Sequence, residues 1–325
     1  LSFIILEIQE ELHELQPGLS IHVAEVTPDE FVKAGCRVIR QGHGYPSVFN
    51  PDCYVQELVN QGKSLEDARE GGCSGCIEVG AFGKEAYVLT GYLNTPKILE
   101  ITLNNGWDPN SGKKLGLETG DPRTFTSYEQ LYEAYHKQML HFVNLKLSVN
   151  NYIERMFALY APATFLSLFI DDCITKGKDY YNGGARYNTT YIQCTGLGTT
   201  TDCFATIKKH VFEDKRYTMD ELLTAVAANF EGHEKMRQYI MNRTPFFGND
   251  DEYADTIAVK VYEDLVKAIK GHPNTRGGET QLNMLSTTCH NYFGSVCHAT
   301  PNGRLAHFAI SDGTSPAHGA DTNGP

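Results

Sequence analysis

The chain has 325 residues, 41% of them hydrophobic and 21% charged, which suits a soluble globular protein of one large domain or two ordinary ones. Acids outnumber bases 40 to 28, a formal net charge of −12, which argues against nucleic acid or an anionic membrane as partner. No apolar run reaches bilayer-spanning length and no signal peptide is visible. Nine cysteines, an odd number at no framework spacing, point to a reducing cytoplasm.

The chain opens on a helical stripe of Leu1, Ile4, Ile5, Ile8, Leu12 and Leu15, closed by Pro17-Gly18. Ile21 to Val26 is a short strand candidate. Thr27-Pro28-Asp29-Glu30 has the form of a capping box and starts a helix running to about Gln41. Tyr45 to Asn50 is a second strand candidate, followed by a helix from about Asp52 to Gln61 and a helical turn from Ser64 to Glu70.

That turn delivers the chain into Gly71-Gly72-Cys73-Ser74-Gly75-Cys76-Ile77-Glu78-Val79-Gly80, continued by Gly83-Lys84-Glu85. Five glycines in thirteen residues predict neither helix nor regular strand, but a loop that turns sharply or passes close to something else. Cys76 and Glu78 are two apart. If the run is extended they project to one side, thiol and carboxylate together. From the residues alone, Cys73-x-x-Cys76 also reads as half a zinc site, a redox pair or plain buried thiols. No second Cys-x-x-Cys completes a zinc site, and the twelve histidines form no His-x-x-His pair, so no metal is expected.

Ala86 to Asn94 is a short apolar segment carrying Tyr92, and Thr95-Pro96 opens a helix through Leu103. A surface connection over Asn105 to Asp121 leads to a capping box at Ser127 to Gln130. Leu131, Tyr135, Met139, Phe142, Leu145, Val149, Ile153 and Met156 then make a long core-facing helical stripe, with a break considered near Asn150. Pro162 ends it, and Phe165 to Ile170 reads as a buried strand. After Tyr180 to Asn188, the run Thr189 to Thr201 is rich in β-branched residues. Helices are expected over Asp202 to Phe212, from Thr218 to near Gly232, and over Asp250 to Ile269. Leu282 to Thr287 is strand-like, and the hydroxyls of Ser286-Thr287-Thr288 suit either a small polar ligand or a turn. Gly196-Leu197-Gly198 lacks the third glycine of a dinucleotide fingerprint. Short strands alternating with capped helices imply an α/β fold, a parallel barrel or a doubly wound sheet.

Gly75-Cys76-Ile77-Glu78, Gly83-Lys84-Glu85-Ala86-Tyr87 and Thr90-Gly91-Tyr92-Leu93-Asn94 resemble the cysteine loop of the glycyl radical enzymes, in the Cys-x-Glu form of the eliminating and decarboxylating members. The likeness runs along nearly the whole chain. It implies part of a ten-stranded α/β barrel of the pyruvate formate-lyase type, with the chain a central fragment of a single barrel domain. The N-terminal part and the C-terminal segment bearing the radical glycine are expected to lie outside it. Catalytic roles are implied for Cys76, as the thiyl, and Glu78, as general acid/base. Tyr92 matches a pocket tyrosine, Thr287 is a candidate substrate contact, and Arg186 is expected to pack near the site. No cofactor or metal is expected on this chain. The radical is expected to be installed by a radical S-adenosylmethionine activating enzyme, and a cytoplasmic homodimer is implied. The implied reaction is dehydration of trans-4-hydroxy-L-proline to 1-pyrroline-5-carboxylate. The rivals are arylacetate decarboxylation or another lyase reaction on the same scaffold, and a non-catalytic fragment. Ala309 departs from the family pattern where a proline is common, and Glu279-Thr280 where a basic or aromatic pair is usual.

Overall fold

The computed structural model describes residues 1–14, 18–74 and 78–324. It divides into two compact units. The first comprises Leu1–Tyr87, Phe157–Thr189 and Arg276–Gly278, and the second Val88–Met156, Thr190–Thr275 and Glu279–Pro325. Helices and strands alternate along the chain, so the fold is α/β. No described helix is long and apolar enough to cross a membrane.

In the first unit, strands Ser20–His22 and Ser47–Phe49 pair in parallel, joined by the crossover helix Asp29–Ile39. Leu6, Ile21, Ala34 and Val38 make the small core beneath them. The N-terminal helix, Ser2–Leu12, differs from expectation: Ile4, Ile8 and Leu12 are exposed, and Leu6 is its buried anchor. Leu15 and Pro17, expected at its end, lie outside the described residues. The expected capping box at Thr27 is not formed. The Thr27 hydroxyl accepts the Ala24 N–H at 2.9 Å, and Pro28 precedes the helix, whose first turn carries Asp29 and Glu30. Asn50 caps helix Pro51–Asn60 and Ser64 caps helix Leu65–Arg69, both through their side chains.

The buried strand expected at Phe165 to Ile170 is instead the helical turn Thr164–Ser167 followed by bends. Phe165 is 74% exposed and Phe169 65%. Ser167 decides the conformation. Its hydroxyl bonds the Ala163 carbonyl and the Asp179 carboxylate, and accepts the Tyr180 N–H at 2.8 Å. These local bonds satisfy groups that a strand would need a neighbour to satisfy.

The main sheet has strand order Glu85–Asn94, Tyr187–Thr195, Thr280–Asn283. The last two are parallel, with Thr190 opposite Thr280. Helix Tyr128–Tyr160, which belongs to the second unit as far as Met156, runs through Asn150 without a break. It contributes Leu131, Tyr135, Met139 and Val143 to the core. There Tyr132 and Tyr135 pack on Phe204, ring centroids 5.3 and 5.0 Å away. Phe204 lies on helix Leu197–Ile207, every residue of which is buried. That helix starts five residues before the expected Asp202, because Gly196 turns the strand into it at φ 94. A β-carbon on Gly196 would lie 2.3 Å from Pro96, and one on Gly198 2.7 Å from the Ser315 carbonyl. Gly196-Leu197-Gly198 is therefore a packing motif. The helix expected from Thr218 starts there with a capping box of Thr218 and Glu221, but it ends at Ala227 rather than near Gly232, and a further helix, Glu234–Arg243, follows. That helix buries only Ile240, so it carries little apolar period to read.

Candidate active site

In the first unit, strands Gly72–Ser74 and Glu78–Gly80 form an antiparallel hairpin, with Cys73 opposite Val79 and Ser74 opposite Glu78. Cys76 lies at 75–77, outside the described residues, so the expectation that Cys76 and Glu78 face one side lies there too. Glu78 is half-buried and begins the return strand. Gly71, at the entry, has no room for a side chain. A β-carbon there would sit 2.5 Å from the Gly80 carbonyl and 2.9 Å from Leu58. Close approach of the two arms explains this glycine.

Cys73 packs with Tyr54, Leu58, Ala68 and Val79. Burial first, then the Glu57 and Glu78 carboxylates, push its thiol up to about 11. It stays protonated and fills core space, as a structural cysteine does.

Beneath the hairpin, the Lys63 ammonium and the Glu85 carboxylate pair at 2.9 Å, both side chains 2% exposed. Glu85 also accepts the Ala81 N–H at 2.9 Å, so it ties the end of the return strand to the next one. Burial lowers the Lys63 pKa and the Glu85 charge opposes that.

A second network fastens the helix that leads into the hairpin. Asp67 binds Lys84 at 2.7 Å, Tyr187 Oη at 2.7 Å and Arg186 Nη1 at 3.1 Å. Lys84 also bonds Glu70, and Arg186 reaches Asp171 at 3.1 Å. The bonds from Lys84 and Tyr187 hold the Asp67 carboxyl well below the ordinary carboxylate range. Arg186 is exposed rather than packed inside, and it acts here through its ion pairs with Asp67 and Asp171.

Sequence reasoning missed Lys63, Asp67 and Arg276. Arg276 is 5% exposed, and its guanidinium donates to the carbonyls of Ala86 at 3.1 Å and Thr189 at 2.8 Å. The following Gly277-Gly278 offered a signal, since a β-carbon on Gly278 would lie 1.8 Å from the Asn188 carbonyl. Lys63 and Asp67 had none, because their partners are distant in sequence.

In the second unit, Tyr92 is 39% exposed and meets Phe293 edge-on, centroids 6.3 Å apart. Thr287 lies past the end of strand Thr280–Asn283 rather than within the expected strand. Its Oγ1 is 2.7 Å from Cys289 Sγ, which is 3.6 Å from Thr195 Oγ1. Cys289 and Phe293 are four apart on helix Cys289–Ser295, so Tyr92 and Thr287 both border one helix face. Among the described residues, no group of three or more His, Cys, Asp or Glu side chains is placed to hold a metal.

The chain belongs to the pyruvate formate lyase-like family, whose model matches residues 1–294. Among individual proteins, it is 51% identical over 324 residues to a trans-4-hydroxy-L-proline dehydratase of Clostridioides difficile, covering all of this chain and 41% of the relative. It is 35% identical over 331 residues to an isethionate sulfite-lyase of Oleidesulfovibrio alaskensis, covering all of this chain and 40% of that relative. A crystal structure of hydroxyproline dehydratase from Clostridioides difficile, with trans-4-hydroxy-L-proline bound, superposes with a TM-score of 0.96 at 50% identity, over 99% of this chain and 41% of that one. The chain spans about two-fifths of the length of the relatives it matches.

Proposed function

We propose that this chain is the central part of a glycyl radical lyase that dehydrates trans-4-hydroxy-L-proline to 1-pyrroline-5-carboxylate. The observation that carries this is the identity of 51% to a hydroxyproline dehydratase, against 35% to a sulfite-lyase, each over the whole chain. The glycyl radical, on a segment outside this chain, supplies hydrogen abstraction at the Cys76 thiol.

Cys76 then takes a hydrogen atom from the ring carbon next to nitrogen, leaving a carbon radical beside the hydroxyl-bearing carbon. Glu78 moves the proton that lets hydroxide leave as water, and the ring N–H proton is lost. Cys76 returns its hydrogen to the carbon that held the hydroxyl. The sum is substrate minus one water, with a carbon–nitrogen double bond formed. Tyr92 and Thr287 bind the substrate in this scheme. An activating radical S-adenosylmethionine enzyme and a homodimer belong to the same proposal.

A second reading, cleavage of another carbon–heteroatom or carbon–carbon bond, is favoured by the 35% identity to a sulfite-lyase. The test uses the full-length protein, activated anaerobically and incubated separately with hydroxyproline, isethionate and 4-hydroxyphenylacetate, with products read by mass spectrometry. Pyrroline-carboxylate from the first is the expected result. Sulfite from the second or cresol from the third, with hydroxyproline untouched, would replace the dehydratase by one of its rivals.

A further inference from the structure

The thiol of Cys289 stands between two hydroxyls, 2.7 Å from Thr287 Oγ1 and 3.6 Å from Thr195 Oγ1. Thr195 is fully buried at the end of its strand, and its carbonyl accepts the Thr95 hydroxyl at 2.9 Å, so that end of the row is anchored. Thr287 and Cys289 are partly exposed, so the row runs from a buried, anchored hydroxyl to an accessible one. A thiol has a single weak donor and a weakly accepting sulfur. Either atom of each contact can be the donor, and an arrangement that uses the thiol's single proton has the sulfur accept from one hydroxyl while its S–H donates to the other.

We propose that Cys289 is a positioning residue for substrate recognition, setting the direction in which Thr287 presents its hydroxyl proton. The proposal rests on Thr287 contacting substrate. The Thr195 hydroxyl donates to Cys289 Sγ, and the Cys289 S–H donates to Thr287 Oγ1. That leaves the Thr287 O–H free to donate outward, to an acceptor such as the carboxylate of an amino or imino acid. Without the thiol, the Thr287 hydroxyl rotates and its donor is no longer aimed.

Loss of one neutral hydrogen bond's worth of alignment should raise KM about five-fold. In the full-length activated enzyme, Cys289→Ala should therefore raise KM with kcat and the glycyl radical signal unchanged, and Cys289→Ser should restore most of the loss. In a Thr287→Val background, Cys289→Ala should have no further effect on KM. A second readout needs no turnover. The S–H stretching band of Cys289, isolated by Raman difference between wild type and Cys289→Ser, should move to higher frequency when Thr287→Val is introduced.

An unmoved S–H band, or a KM effect of Cys289→Ala that persists undiminished in Thr287→Val, overturns the proposal. A wild-type enzyme inert toward hydroxyproline would instead fail the dehydratase assignment. The thiol band still decides the contact in that case, and the KM comparison moves to whichever acid the enzyme does turn over.

Discussion

Lys63 and Glu85 form an ion pair at 2.9 Å with both side chains nearly withdrawn from solvent, Lys63 two residues before the helix that leads into the hairpin and Glu85 five after the hairpin's last. Breaking such a pair leaves an uncompensated buried charge. Glu85→Gln or Lys63→Met alone should cost about 3–5 kcal/mol, and the double change Lys63→Met with Glu85→Leu should cost less than either. Urea unfolding of the three variants tests this. Additive losses would mean that the two charges do not act as a pair.

Asp67 sets a limit at acid pH. Its folded pKa is depressed by Lys84 and Tyr187. The bonds therefore contribute stability that is present above the unfolded value of about 4 and lost as pH falls through the folded value. Asp67→Asn should flatten the acid limb of stability against pH. It should also cost roughly 1–3 kcal/mol at neutral pH, since Lys84 and Arg186 lose their shared anion.

Asp202 acts in the opposite sense. It is 1% exposed, and only its Oδ1 has a hydrogen bond among the described residues, from Phe247 N at 2.9 Å. Burial pushes its carboxyl up to about 7. The folded state holds a proton that the unfolded state has already released, so stability falls as pH rises from about 4 toward about 7. Asp202→Asn should remove that slope and raise the melting temperature at pH 8. An unchanged slope would show that the carboxyl is ionised in the fold.

Gly71→Ala should be disproportionately harmful for one methyl group. Its β-carbon meets the Gly80 carbonyl at 2.5 Å, a backbone atom that cannot rotate away. Overpacking of this kind costs about 1–3 kcal/mol and shifts the arms of the hairpin. Activity should fall more than stability does. Gly83→Ala, where nothing lies within 4 Å but φ is +70, should show only the backbone penalty of about 1–2 kcal/mol.

Two substitutions separate the chemical roles assigned above. Cys76→Ala should abolish turnover while the activated enzyme keeps its glycyl signal in electron paramagnetic resonance. Glu78→Gln should still allow hydrogen exchange into substrate but not loss of water. Normal product formation by either variant would remove that residue from the mechanism.

Local chemistry was legible in the sequence. The helix start at Thr218 and the first part of the stripe on helix Tyr128–Tyr160, Leu131, Tyr135 and Met139, are short-range patterns, whereas Leu145 and Val149 further along that stripe are exposed and the glycine-rich run holds short strands that were not expected. Each short-range pattern depends on residues a few positions apart, so spacing suffices to read it. The resemblance to the family was equally legible, because the Cys-x-Glu motif and its flanks are contiguous. Tertiary structure alone decided the rest. Phe165 to Ile170 has the apolar composition of a buried strand, yet Ser167 bonds Ala163 and Asp179 and keeps it in a turn. The pairs Lys63–Glu85 and Asp67–Arg186 join residues 22 and 119 positions apart, the second through Nη1. Nothing in local periodicity encodes such partners, since charge pairing is chosen by which surfaces burial brings together. The contact of Thr287 with Cys289 falls between these limits: the two are neighbours in sequence, but the fold had to bring Thr195 alongside to make a row of three.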